Sequence, residues 1–107
     1  MQRIVIKAVP KHKIRNQGVG DYKQKKKHLE VLVSNELEED EMLGVALHEL
    51  VEALLVKKRG IRFREINRFD KKNINHCEPG NKRNAPYHKE HKFAGGLERS
   101  FLRELKK

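Results

Sequence analysis

The stretch 46-ALHELVEALL-55 decides how this chain is read. It sits inside the most apolar run of the sequence, Met42 to Val56, which is otherwise Leu, Val, Ala, Met and one Gly. Yet it carries His48, Glu49 and Glu52. Ionisable side chains in such a run are costly to bury unless something pairs with them. The partner is either a set of opposite charges or a metal ion.

The flanks of this run have the signals of a helix. Ser34 or Asn35 can cap its start, and Glu36, Glu38, Glu39, Asp40 and Glu41 place negative charge where the helix dipole favours it. Lys57, Lys58 and Arg59 suit the opposite end, and Gly60 stops the helix. Its wide apolar coverage predicts a helix packed on a sheet and on at least one further element.

Residues four apart share one face of a helix, about 6 Å apart along the axis. His48 and Glu52 therefore project together, and an imidazole and a carboxylate so placed can hold one divalent ion. Glu49 lies one position further round, within reach of a water at that ion. This is the logic of the HExxH helix, in which the glutamate acts as general base. Here the pattern is HExxE. The extra carboxylate would make a bound cation a weaker Lewis acid and admits harder ions than zinc.

Outward from the helix, 3-RIVIKAV-9 is β-branched and predicts a strand ended by Pro10. Residues 11–27 are basic, with Gly18 and Gly20, and read as a long loop or splayed hairpin arm. The stretch 28-HLEVLV-33 predicts a second strand of the same sheet, with Leu29, Val31 and Val33 on one face. Residues 61–69 fit either a short strand or a helical turn, and 70–85 read as a loop. Pro86 suits the first position of a second helix with an apolar stripe of Ala94, Leu97, Phe101 and Leu105. Gly95 and Gly96 cost about 1 kcal/mol each inside a helix; close approach of the first helix would compensate.

A catalytic zinc needs a third protein ligand. The second helix offers His88 and His91. His91 shares a side with Ala94, Glu98 and Leu102 and is preferred; His88, nearer the helix start, is its rival. His76–Cys77 could supply soft ligands but has no second cysteine beside it.

These residues carry a resemblance. The chain resembles the small zincin-like metallopeptidase type, and more narrowly a family of short phage and mobile-element proteins of that type. The likeness rests on GDY (20–22), LEVLVS (29–34), HELVEALL (48–55), Phe69–Asp70 and APYHKEHKFAGGLERSFLREL (85–105), which span most of the chain. It implies an α+β, zincin-like fold: a small sheet packed on a buried HExxE helix, with a second helix at the C-terminus. It implies His48, Glu52 and His91 as ligands of a divalent metal, zinc first, and Glu49 as general base. Asp70 and Glu98 would orient a ligand histidine.

Composition bounds the rest. The 107 residues suffice for one domain, 1–107, and 36% hydrophobic against 37% charged residues allow only a small core. One cysteine rules out an internal disulfide framework. The apolar segment of MQRIVIKAVPKHK is short for a signal peptide, and no run approaches a membrane span, so a cytoplasmic location is expected. A net charge of +10 favours contact with polyanions. Three functions stay open: a peptidase-like hydrolase acting on a peptide or protein, a metal-dependent nuclease, and a basic binding module whose cluster is structural. For so short a chain, completion of the site by a dimer partner is a further expectation.

Overall fold

A computed structural model describes residues 3–75 and 78–107 of the chain. His76 and Cys77, considered above as soft ligands, lie outside the described residues. The fold is α+β: a three-stranded sheet and three helices.

Strand β1 (Arg3–Val9) lies at one edge of the sheet, β2 (Gly20–Gln24) at the other and β3 (His28–Ser34) between them. β1 runs parallel to β3, from Arg3 opposite His28 to Val9 opposite Ser34. β2 runs antiparallel to β3, from Gly20 opposite Val33 to Gln24 opposite Leu29. The basic segment between the predicted strands is therefore partly ordered as β2, and its lysine run forms the tip of the β2–β3 hairpin. The amide of Lys25 donates to the carbonyl of His28 at 2.8 Å and closes that turn.

Helix α1 (Glu39–Lys58) covers one face of the sheet. Ser34 and Asn35 do not cap it; the cap position is Glu38, four residues later. Ser34 is taken by the end of β3, where its hydroxyl accepts from the Glu36 amide at 3.2 Å in a turn of its own. The expected acidic start and basic end are present, and Gly60 follows in the left-handed region at φ +72°.

Residues 61–69 resolve to a helix: α2 spans Phe63–Lys72 and takes up the first part of the predicted 70–85 loop. A short 3-10 turn, Pro79–Asn81, leads to helix α3 (His88–Leu105), which starts two residues after Pro86. α3 packs along α1.

Two apolar clusters hold these pieces together. Leu29 and Val31 from β3 pack with Tyr22 and Ala53, flanked by Leu50 and Phe63. Val56 and Ile66 pack with Ala85 and Tyr87, flanked by Ile61, Phe63 and Phe69. Burying side chains of this size is worth roughly 1.5–3 kcal/mol each. The apolar stripe predicted for α3 is only partly used: Ala94 is fully buried, whereas Leu97 is 38% exposed. Helix α3 is short of apolar contacts because much of its inner face is polar and serves the site described next.

The close approach of α1 and α3 is made by a different glycine from the pair expected. A Cβ at Gly44 would lie 3.1 Å from Leu102 of α3, tighter than ordinary contact. At Gly95 the nearest atom of α1, His48 Cε1, would be 3.8 Å away, and at Gly96 only Arg99 comes within reach. Gly44 is thus the position that lets the helices press together.

Arg15 ties the segment before β2 to the rest. Its guanidinium pairs with Asp21 at 2.8 Å and with Asp70 at 3.3 Å, and donates to Asn67. Asn16 donates to the Asp70 carbonyl at 3.2 Å. Among the described residues no helix is long and apolar enough to cross a membrane.

Candidate metal centre

α1 and α3 bring three donor side chains to one point. His48 and Glu52 come from successive turns of α1, and His91 comes from the first turns of α3. His48 Nε2 lies 3.2 Å from His91 Nδ1 and 3.5 Å from Glu52 Oε1. His91 Nδ1 lies 2.7 Å from Glu52 Oε1, a hydrogen bond in which the imidazole N–H donates. Among the described residues this is the one group of His, Cys, Asp and Glu close enough to hold a metal ion.

The spacing can be tested against a cation. The circle through the three atoms has a radius of about 1.8 Å, shorter than the ~2.0–2.1 Å bonds zinc makes to nitrogen and oxygen. A point at bonding distance from all three therefore exists without moving any of them. The donor set, two imidazoles and a carboxylate, is one that zinc uses in catalytic sites.

The surroundings prepare each donor. Glu98 Oε1 accepts from His48 Nδ1 at 2.8 Å, which leaves the lone pair of His48 on Nε2, facing the other two donors. Glu78 Oε1 lies 3.7 Å from His91 Nε2, too far for a hydrogen bond but close enough for its charge to act on the ring. Sequence reasoning missed Glu78, since it comes from a loop with no helical spacing to place it. Two glycines make room. A Cβ at Gly80 would fall 2.5 Å from His91 Cγ, and one at Gly20 would fall 2.8 Å from Glu49 Cγ. The 3-10 turn and β2 can close on the site only because those positions lack side chains.

The remaining expected residues separate. Glu49 is present: its Oε2 stands 4.0 Å from His48 Nε2, beside the donors rather than among them. His88 is not part of the cluster; its Nδ1 donates to the Gly80 carbonyl at 2.9 Å. Asp70 does not reach a histidine either. It accepts from the Tyr87 hydroxyl at 2.6 Å and pairs with Arg15, so it fixes Tyr87, whose ring stands edge-on to His91 at 6.2 Å between centroids. Helical spacing cannot predict that relay, because it spans α2, the 10–19 segment and the start of α3.

Electrostatics in this pocket are strongly coupled. Burial alone would lower the His48 pKa, but the carboxylates of Glu52, Glu98 and Glu49 outweigh it and hold it at about 10. Burial would raise Glu52, but hydrogen bonds and charge from His48 and His91 hold it at about 2. Glu49 goes the other way: burial, then the negative charge of Glu52, pushes it well above the ordinary carboxylate range. The two glutamates of one helix are thus driven apart, one ionised and one inclined to keep a proton, as acid–base pairs in active sites are.

The Tyr22 hydroxyl is buried within reach of the Glu52 carboxylate. A cleft of about 80 Å³ opens on Glu52 and His91, lined also by Arg15, Gly20, Glu49 and Tyr87. Its size admits water and the reacting atoms of a substrate but no bulky side chain. No family model, curated protein or solved structure matches the chain.

Proposed function

We propose that the chain is a small metal-dependent hydrolase of zincin-like, peptidase type, with a divalent cation, zinc first, held by His48 Nε2, Glu52 Oε1 and His91 Nδ1. The observation that carries this reading is the convergence of those atoms on a point at bonding distance from each, with a fourth ionisable group, Glu49, beside it and outside the donor set. A cation bound there would supply Lewis acidity, polarising a carbonyl and making water a better acid.

The chain's own residues do the rest. Glu49 stands where it could take a proton from water in the cleft and return it to a leaving group, and the positive charge of a bound cation would offset the burial and Glu52 charge that otherwise keep it protonated. Glu98 keeps His48 in one tautomer and orientation. Gly20 brings the end of β2 against Glu49, so the base is confined rather than free to swing. The shallow cleft suits an extended, narrow substrate such as a peptide backbone.

The test has two arms. Elemental analysis of protein purified without added metal should find close to one cation per chain, lost in His48→Ala. Glu49→Gln should keep the cation and lose hydrolysis of casein. Metal absent from the wild type, with a melting temperature indifferent to a chelator, would leave a self-paired cluster of histidines and carboxylates as a structural feature, and the protein a basic binding module. A second substrate class has its own support. His12, Lys13, Lys23 and Lys71 line a groove of about 490 Å³ behind Arg15, and the chain carries +10. Cleavage of RNA in preference to casein, again dependent on Glu49, would assign the site to phosphodiesters.

A further inference from the structure

Away from the side that carries His48, Glu49 and Glu52, helix α1 is apolar round its circumference, and apolar helix faces are normally covered. Here two sides are covered, by the sheet and by α3. The third is not. Leu43, Leu47, Leu50 and Leu54 follow one another at spacings of four, three and four, which places them within about 60° of each other round the helix. Leu43 is 45% exposed and Leu54 37%; Leu47 is half-buried, and Leu50, at the border with the sheet-facing side, is half-buried because it also packs on the Tyr22, Leu29, Val31 and Ala53 cluster. Edge strand β1 extends this surface. Ile4 and Ile6 stand in register with Leu29 and Val31, on the sheet face that carries α1, yet are 46% and 50% exposed. Together these six side chains expose roughly 400 Å² of apolar surface, within the range of the largest patch on a typical monomer, which is often functional.

We infer that this face is the interface of a two-fold dimer in which α1 packs antiparallel against α1 of a second copy. The occupant follows from the charges at the helix ends. The first turn of α1 carries Glu39, Asp40 and Glu41, and the last carries Lys57 and Lys58. The leucine stripe is symmetric about its midpoint between Leu47 and Leu50. An antiparallel pair therefore sets Leu43 against Leu54 of the second copy and Leu47 against Leu50. The same operation sets Glu39 beside Lys57, and Asp40 beside Lys58, on the two flanks of the stripe. All four charged side chains are exposed and available. Parallel pairing would instead oppose acid to acid and base to base. A chain of +10 repels a second copy over most of its surface. This face is the exception, because its charges are balanced and end-separated. It is also isologous, as a closed dimer requires. The stripe lies about 140° round α1 from His48 and Glu52, so the cleft stays open and the inference stands whether or not a metal binds.

Sedimentation velocity at about 20 µM should show a dimer. Leu47→Glu, with a helical circular dichroism spectrum unchanged, should weaken it by ~100-fold or more, because each substitution is met twice in a two-fold interface. Orientation is read separately in a Cys77→Ser background. Leu43→Cys combined with Leu54→Cys should give a disulfide-linked dimer on mild oxidation. Leu43→Cys alone should not, because the two cysteines would stand about 16 Å apart along the helices, beyond disulfide reach. A wild type that stays monomeric at 200 µM, a dimer indifferent to Leu47→Glu, or efficient cross-linking through Leu43→Cys alone would each overturn the proposal. The first of these would assign the face to a different partner.

Discussion

Replacing Gly80 by alanine should disable the cation site without touching a ligand. The added Cβ would lie 2.5 Å from His91 Cγ, 2.7 Å from His91 Nδ1 and 2.8 Å from Tyr87 Cε2. Ordinary contact begins near 3.4 Å, so the ring must retreat by about 1 Å, and Tyr87 closes one route of escape. Overpacking of this kind costs about 1–3 kcal/mol. Nδ1 is the atom proposed to bind, and a 1 Å error in a ligand defeats a site that tolerates about 0.5 Å. Zinc affinity, read by competition with a chromophoric chelator, should fall by ~100-fold while the metal-free melting temperature drops by several degrees. Gly95→Ala is the control. Its Cβ would meet His48 Cε1 at 3.8 Å and Arg99 at 3.4 Å, and alanine gains about 1 kcal/mol of helix propensity. It should raise the melting temperature and leave zinc affinity unchanged. Wild-type affinity in Gly80→Ala, or equal losses in both variants, would refute the reasoning that the 3-10 turn seats His91.

Other outcomes follow from the same geometry. Glu98→Gln keeps an acceptor for His48 Nδ1 but loses its charge, so zinc affinity should fall by ~10–100-fold with all three ligands intact; no change would remove Glu98 from the site. Tyr87→Phe strips Asp70 of its 2.6 Å donor and should destabilise the fold by about 1–3 kcal/mol in urea titration, with a smaller effect on zinc than Glu98→Gln. The pH dependence has a definite sign. His48 is held at about 10 in the metal-free fold against 6.5 as a free side chain. Its pairing with the carboxylates stabilises that fold fully below pH 6.5 and is lost as pH rises through about 10. A cation must displace that proton, so zinc affinity should climb by up to about tenfold per pH unit across this window, with proton release visible by calorimetry in buffers of different ionisation enthalpy. A flat affinity would mean that His48 is not a ligand.

Periodicity explains which parts of the molecule were legible in the sequence. α1 was, because caps, charges and apolar spacing all agreed, and so were the two strands that carry alternating β-branched residues. The pairing of His48 with Glu52 follows from helical geometry alone, and His91 from its place beside Ala94 on the next helix. The remainder depends on tertiary contacts. β2 is a polar five-residue strand recognisable only once β3 is beside it. α2 has few apolar residues, and Ile66 is its one fully buried hydrophobic side chain. Gly44 outweighed Gly95 and Gly96 as the contact glycine because the helices cross where α3 presents Leu102, which depends on the crossing angle. Glu78 and the Asp70–Tyr87 pair reach the site through loops, where spacing along the chain says nothing about proximity.

The strand order 1-3-2 has a consequence for how the chain assembles during synthesis. β1 leaves the ribosome first, yet its neighbour in the sheet begins some 25 residues later. The β2–β3 hairpin, joined by three residues, closes within microseconds of emerging, and β1 must be recaptured afterwards across the intervening segment. Arg3 and Lys7 keep that waiting strand from pairing with a stranger. Of the three strands, the first to be made is thus the last to be committed to the sheet, and nascent chains stalled before residue 28 should leave it open to protease.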